Sequence, residues 1–209
     1  MNYTRLYHFL SAKNAIDDLK RGRLKLSEID KLNDPFELWC SSQEDAGVRN
    51  ALIRFQQRTA EVNGILCFCE RWSNPLLWSH YADKHCGVCL GFDVDREAVE
   101  PVKYVSRRQQ LPPRPTQATM LQLLYTKYRG WSYEKEWRAW FQLDARDGDH
   151  YFYDFDDRID LREVIAGALC SEQKTLVAAA RAYSGVSLTQ ARLAFRSFRI
   201  VIRKNARLG

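Results

Sequence analysis

The chain has 209 residues, of which 45% are hydrophobic and 28% are charged. This length suits a single domain spanning residues 1–209, and the composition permits a packed core and excludes global disorder. The net charge is +6, but residues 173–209 carry eight basic and no acidic side chains, which leaves 24 basic against 26 acidic residues elsewhere. Such a basic end is either a surface for an anionic partner such as nucleic acid or a solvated surface. Its basic residues are Lys174, Arg181, Arg192, Arg196, Arg199, Arg203, Lys204 and Arg207.

The sequence carries no signal for secretion or for a membrane. The N-terminal segment MNYTRLYHFL lacks the apolar stretch of a signal peptide, and no apolar run reaches the roughly 18 residues of a membrane helix. We therefore expect a cytoplasmic protein with no membrane partner. In that compartment its six cysteines are expected to be reduced.

Strand and helix patterns alternate along the first half of the chain. The apolar spacing after Ser11 predicts a helix that stops at Gly22, and Pro75 suits the first turn of another helix. The Asn33-Asp34-Pro35 segment is a strong turn signal, to which we assign no further role. Strands are predicted at 5–11, 23–27, 64–70 and 86–95, and helices at 12–22, 42–62 and 73–83.

In the second half, several strands follow one another late in the chain. Three prolines within residues 107–117 predict a loop. The order of elements predicts an α+β fold with a mixed or largely antiparallel sheet. The predicted elements are a short strand at 102–106, a helix at 118–130 stopped by Gly130, a strand at 162–170 leading into a helix at 171–185, and a strand or hairpin arm at 188–204.

The segment WSYEKEWRAWF, residues 131–141, places two glutamates and an arginine inside an aromatic run. The spacing of its aromatic residues fits a helix, but their abundance and the shortness of the segment favour a strand. On a strand, Glu134, Glu136 and Arg138 would share one face, because side chains alternate with a period of two. That face is either a salt-bridged surface or the edge of an active site.

A group of cysteines and histidines raises the question of a zinc site. The Cys-x-x-Cys spacing is typical of zinc ligands, but the flanking sequences are apolar strand patterns. We therefore interpret the thiols as buried and expect no bound metal. A nucleophilic pair of Cys86 and His85 is an alternative that the sequence leaves open. The group comprises Cys67, Cys69, His80, His85, Cys86 and Cys89.

Four motifs, in the order LYHF, NDPFE, a block from CFCE through WSHYA to GVCLGF, and YEKEWR, resemble a bacterial family of domains of unknown function. The resemblance covers most of the chain, from about Leu6 to Phe198. The layout is more distantly similar to the ADP-ribosyltransferase fold, a split β-sandwich flanked by helices, and to its DNA-modifying toxin branch. This second resemblance implies NAD as a cosubstrate.

The resemblance to ADP-ribosyltransferases also implies a set of cofactor-binding residues. His8, with the backbone of Tyr7, would hold the adenosine ribose of NAD. Tyr81 would stack on the nicotinamide ring, which an aromatic face does well. Trp78 and His80, on the same predicted helix, are assigned to the same group.

The same resemblance implies the catalytic roles. Glu136 would hold the 2′-hydroxyl of the nicotinamide ribose and stabilise the oxocarbenium-like transition state. Glu134 would polarise the acceptor nucleophile, although the sequence does not decide which glutamate is the principal acid. Arg138 would keep both carboxylates ionised or contact a phosphate of the cofactor.

Three functions compete at this point. The leading hypothesis is an NAD-dependent ADP-ribosyltransferase, a toxin or phage-defence effector that modifies nucleic acid or protein and pairs with an antitoxin. The second is a nucleic-acid-binding module without chemistry that uses the basic C-terminal stretch. The third is a metal-dependent nuclease or other hydrolase that uses Glu134 and Glu136.

Overall fold

The computed structural model describes the backbone of residues 2–207 and the side chains of residues 2–204. Within this part, strands and helices are mixed along the chain. The strands are β1 Tyr3–Leu10, β2 Arg23–Glu28, β3 Asn63–Cys69, β4 Val88–Asp95, β5 Glu100–Pro101, β6 Lys103–Val105, β7 Thr126–Tyr128, β8 Glu136–Gln142, β9 Arg146–Asp147, β10 His150–Asp154, β11 Ile159–Ala166, β12 Ser187–Leu193 and β13 Ile200–Arg207. The α-helices are α1 Ala12–Arg21, α2 Ala46–Val62, α3 Pro75–Tyr81, α4 Gln117–Leu123 and α5 Gln173–Ala180, and the 3-10 turns are Ile29–Lys31 and Arg129–Glu134.

The described chain divides into two compact units. Unit 1 contains the residues up to Leu24, Phe68–Ala98 and the residues from Asp154 onward. Unit 2 contains Lys25–Cys67 and Val99–Tyr153. Arg207, the last member of the predicted basic stretch, ends β13, and its side chain lies outside the described residues.

Unit 1 is built on the strand order β13-β12-β11-β4-β1. Its pairs are antiparallel except β11 and β12, which run parallel, so the sheet is mixed. Helix α1 begins after Ser11, whose side chain accepts the Asn14 N–H, and ends at Gly22 in the left-handed conformation with φ 68°. Asn74 caps α3 in the same way, with Pro75 in its first turn. Local sequence signals therefore define both helices.

Unit 2 combines short strands with helices α2 and α4. In its sheet β2 pairs with β3 antiparallel, β8 lies beside β3, and β5 lies beside β8. A separate parallel pair joins β6 to β7, with Lys103 opposite Thr126. The buried side chains of one core cluster come from the turn after β2 and from the two helices: Ile29, Leu38, Val48, Leu52, Met120, Leu123 and Leu124.

The predicted α+β class with a mixed sheet is confirmed. The predicted single domain and the split-sandwich layout stay predictions. Among the described residues, no helix has both the length and the apolar character needed to cross a membrane.

Two local predictions are wrong. The helix predicted at 118–130 ends at Leu123, because Thr126–Tyr128 pairs with β6 as strand β7. The predicted strand over residues 131–141 begins only at Glu136, because Arg129–Glu134 forms a 3-10 turn and Lys135 has a φ of 46°. Strand pairing and a left-handed residue thus override the local patterns.

Gly87→Ala should lower the free energy of unfolding by about 1–3 kcal/mol, the usual cost of overpacking. A Cβ atom at this position would lie 2.3 Å from the Leu10 carbonyl oxygen and 2.8 Å from that of Ala82, and neither backbone group can move freely. Urea unfolding measures the effect. The control is Gly148→Asn, since Gly148 has nothing within 4 Å and asparagine tolerates its φ of 61°. Equal stabilities for the two variants would contradict the close approach.

Candidate functional site

Arg138 is the most deeply buried charge in unit 2, with only 1% of its surface exposed. Its Nε and Nη2 atoms donate to Oε1 and Oε2 of Glu136 at 2.8 and 3.1 Å. Its Nη1 atom lies 2.7 Å from Oε1 of Glu37 and donates to the Leu124 carbonyl oxygen at 2.5 Å. One guanidinium therefore joins strand β8 to the turn after β2 and to the end of α4.

Lys127, on β7, provides the second buried cation. Its Nζ atom donates to Oε2 of Glu134 at 2.7 Å and to Oε2 of Glu136 at 3.0 Å. The same ammonium group lies 5.1 Å from the centre of the Trp131 ring, a cation–π distance. Glu136 is thus shared between Lys127 and Arg138, and five side chains form one charge network: Glu37, Lys127, Glu134, Glu136 and Arg138.

The backbone around Lys135 brings the two glutamates to the same lysine. Glu134 ends a 3-10 turn, Lys135 takes a left-handed conformation, and Glu136 opens β8. The N–H of Glu136 donates to the Tyr104 hydroxyl at 2.8 Å, which holds the start of the strand. The carboxylates therefore meet at Lys127 although they do not lie on one strand face.

The NDPFE motif forms the turn that presents Glu37 to Arg138. Oδ1 of Asp34 accepts the Phe36 N–H at 2.9 Å, and the Asp34 carbonyl accepts the Glu37 N–H at 3.0 Å. Leu38, which follows, is buried with a φ of 65°. The predicted turn is confirmed, and the motif has a role that the sequence left unassigned, because its glutamate pairs with a cation about a hundred residues away.

The network holds three carboxylates against two cations. Burial by itself would raise the pKa of Glu136, but Arg138 and Lys127 lower it to about 2. For Glu37, burial dominates and raises the pKa in spite of Arg138. The opposite shifts indicate that Glu136 keeps its negative charge, whereas Glu37 takes up a proton more readily than an ordinary glutamate.

The salt-bridged-surface interpretation of the YEKEWR segment is wrong. Glu134, Glu136 and Arg138 expose only 4%, 5% and 1% of their surface. The structure does bring these three predicted residues together. The two partners that the sequence analysis missed, Glu37 and Lys127, lie in a turn without an assigned role and in a segment predicted to be helical.

Aromatic rings that the sequence analysis did not single out flank the network. Trp131 and Tyr133 are half-buried, with ring centres 6.1 Å apart. Burial, followed by the nearby charge of Glu134, raises the pKa of Tyr133. An aromatic pair beside buried carboxylates is a suitable surface for a flat cationic ring.

Tyr7 and His8, predicted to bind the cofactor, lie on β1 in unit 1, and both are half-buried. The His8 ring lies edge-on to Phe68 with ring centres 5.9 Å apart. Burial raises the pKa of Tyr7 to about 12. The NAD-binding role of both residues stays a prediction.

The other predicted cofactor residues lie on α3, also in unit 1. Trp78 has no exposed surface, and its indole N–H donates to the Trp72 carbonyl at 2.6 Å. His80 is exposed, Tyr81 is half-buried, and their ring centres are 6.0 Å apart. Trp78 is therefore a core residue, whereas the side chain of Tyr81 is partly exposed to solvent. The cofactor-binding roles of these residues stay predictions.

The cysteines are all free thiols in different surroundings. Cys69 and Cys89 are buried, Cys67 is half-buried, and Cys86 is exposed. The Cys67 thiol hydrogen bonds to the carboxylate of Glu136, and burial raises its pKa well above the usual range. Over the described residues, no group of three or more His, Cys, Asp or Glu side chains is arranged to hold a metal ion.

Arg138→Met should lower the free energy of unfolding by about 3–5 kcal/mol, because it leaves buried carboxylates without their partner. Arg138→Lys keeps the charge and loses the bidentate geometry, so its loss should be smaller. Urea unfolding at neutral pH gives both values. A stability for Arg138→Met within about 0.5 kcal/mol of wild type would contradict a structural role for the network.

The stability difference between wild type and Glu136→Gln should shrink as the pH falls. The folded pKa of Glu136, about 2, lies below its ordinary value of 4.5, so its contribution is complete above 4.5 and is lost towards 2. Glu37 has a raised pKa, so its contribution to stability is complete below pH 4.5 and is lost as the pH rises. The stability of wild type relative to Glu37→Gln should therefore fall as the pH rises above 4.5. Denaturant unfolding at several pH values and constant ionic strength measures both. Parallel pH profiles for the two variants would contradict the opposite shifts.

Comparison with known proteins supports the family resemblance over part of the chain. Residues 77–139 match a family model described as "Protein of unknown function (DUF2971)". This span, less than a third of the chain, includes Tyr81, Lys127, Glu134, Glu136 and Arg138. No curated protein and no solved structure matches the chain. The match therefore supports a family of domains of unknown function.

Proposed function

We propose that this chain is an NAD-dependent ADP-ribosyltransferase and that the buried charge network of unit 2 is its catalytic centre. The observation that carries the proposal is the unbalanced charge of the network, with three carboxylates against two cations. Buried charge without full compensation is costly, and it is retained in proteins where chemistry requires it. A cationic ligand or transition state would complete the balance.

NAD carries a positive charge near this site at two stages of the reaction, first on the nicotinamide ring and then on the ribose. In bound NAD the nicotinamide ring is a pyridinium, and when the bond between its nitrogen and C1′ of the ribose breaks, the electron pair leaves with nicotinamide. The ribose then carries oxocarbenium character, which a fixed carboxylate stabilises electrostatically. Glu136 suits this role because its pKa of about 2 keeps it ionised at any physiological pH.

The transfer is completed by an acceptor nucleophile. Its lone pair forms the new bond to C1′, and its proton passes to the carboxylate of Glu134 and then to solvent. Glu134 and Glu136 share the ammonium group of Lys127, so the base lies beside the stabilising charge. Arg138 keeps Glu136 ionised and oriented through two parallel hydrogen bonds.

Stacking of the nicotinamide ring has a candidate within the same unit. Trp131 and Tyr133 are half-buried beside Lys127 and Glu134. The resemblance assigns nicotinamide stacking to Tyr81 instead. The choice of stacking residue does not change the proposed acceptor, which is a nucleic acid or a protein. The proposed biological role is that of a toxin or phage-defence effector with an antitoxin partner.

Incubation of the purified protein with NAD labelled in the nicotinamide ring tests the proposal. Wild type should release nicotinamide, and Glu136→Gln should release it about 10²–10³-fold more slowly, in line with the loss of one electrostatic stabiliser. NAD affinity, measured separately by calorimetry, should fall in Glu136→Gln by a much smaller factor than the rate of nicotinamide release. Two substitutions identify the residue that stacks on the nicotinamide ring. Weaker NAD binding in Trp131→Ala assigns the stacking to Trp131, and weaker binding in Tyr81→Ala assigns it to Tyr81, as the resemblance implies.

The matched control is Glu61→Gln, which changes an exposed glutamate on α2 in the same unit. It should keep wild-type nicotinamide release. Circular dichroism should show that Glu136→Gln remains folded at the assay temperature. If the folded wild-type protein neither binds nor cleaves NAD in the presence of nucleic acid or a cell extract as acceptor, the network is structural only and the proposal fails.

A further inference from the structure

The loop between β12 and β13 exposes two phenylalanine rings almost completely. We call residues 194–199, AFRSFR, the hairpin tip. Phe195 is 90% exposed and Phe198 is 99% exposed. Leu193, at the end of β12, is 61% exposed. Large apolar side chains in such full contact with water are unfavourable in isolation, so this tip is a candidate interaction surface.

The hairpin tip is held by a firm base in unit 1. Leu193 pairs with Ile200 across the hairpin, and the Ala194 N–H donates to the Arg199 carbonyl at 2.9 Å. Ile200 is buried, and its N–H donates to the Ser73 carbonyl at 2.9 Å. The exposed rings therefore project from an anchored loop, which reduces the entropy that a partner must overcome on binding.

Positive charge is interleaved with the two rings. The guanidinium of Arg192 lies 4.4 Å from the centre of the Phe195 ring. Arg196 stands between the two phenylalanines in the sequence, and Arg199 follows them, and both are exposed. Residues 173–209 contain no aspartate or glutamate, so no acidic residue of this stretch neutralises the tip.

We propose that the hairpin tip binds single-stranded nucleic acid. Bases stack on Phe195 and Phe198, and the arginines around them contact the phosphate backbone. Proteins that bind single strands combine these two features, since every base has a face for stacking and every phosphate carries a charge. The proposal concerns unit 1 and does not depend on the transferase chemistry proposed for unit 2.

A paired duplex and a lipid surface fit the hairpin tip less well. In a duplex the base faces are already stacked on each other, so exposed aromatic rings favour unpaired bases. A membrane would have to take up Arg196 together with the two rings, and an arginine in hydrocarbon is costly. A single strand accepts the rings and the guanidinium groups together.

Fluorescence anisotropy with a labelled, mixed-sequence single-stranded DNA and the corresponding RNA tests the proposal. Wild type should bind both, more tightly than the duplex of the same sequence, and more weakly as salt rises from roughly 50 to 200 mM. The double variant F195A/F198A should lose at least about tenfold in affinity. Its thermal unfolding should match that of wild type, because the replaced rings make little contact with the fold.

Two matched controls separate the hairpin tip from general basic charge. Arg196→Gln and Lys174→Gln remove one exposed positive charge each from the acid-free stretch, and only Arg196→Gln should weaken binding markedly. Phe36→Ala removes another exposed phenylalanine that lies under an arginine, and it should bind like wild type.

Three outcomes would overturn the proposal. They are wild-type affinity in F195A/F198A, equal losses for Arg196→Gln and Lys174→Gln, and no binding of single strands by wild type. The same variants are tested with phosphatidylcholine vesicles that contain phosphatidylserine. Vesicle binding that depends on the two phenylalanines, without binding of single strands, would assign the tip to a membrane surface instead.

Discussion

The pairing of Arg138 with Glu37 and Glu136 is the interaction on which unit 2 depends. A guanidinium with 1% of its surface exposed is tolerable only when it is paired, and three different parts of the chain supply its hydrogen-bond and ion-pair partners. These parts are a turn, the end of a helix and the strand that carries Arg138 itself. The ion pairs therefore fix backbone segments as well as charges.

The network combines a structural and a chemical property. Two cations keep Glu136 ionised inside the protein, although burial acts against that ionisation. A third carboxyl group, on Glu37, has a raised pKa, because burial disfavours its charged form. The three carboxyl groups of the network outnumber its two cations, which suits the stabilisation of a cationic sugar transition state. This surplus of carboxyl groups connects the geometry of unit 2 with the proposed transferase activity.

The sequence predicted most of what local signals determine. Ser11 and Gly22 bound the first helix, and Asn74 with Pro75 begins the third, because caps act within a few residues. The buried network was predicted only in part. Glu37 and Arg138 form an ion pair although they lie about a hundred residues apart in the sequence. The periodic patterns of helices and strands extend over a few residues and cannot predict such a contact. Lys127 was missed because pairing with β6 turns its segment into a strand.

The most direct measurement of the central claim is a ¹³C NMR titration of the glutamate side-chain carboxyl carbons in the folded protein, with Glu37 and Glu136 assigned. Glu136 should titrate near pH 2, and Glu37 should titrate above the ordinary value of 4.5. NAD should shift the titration of Glu37 to lower pH, because a bound cation favours the ionised carboxylate. Titration of both carboxyl groups near 4.5, unchanged by NAD, would contradict a catalytic role for the network.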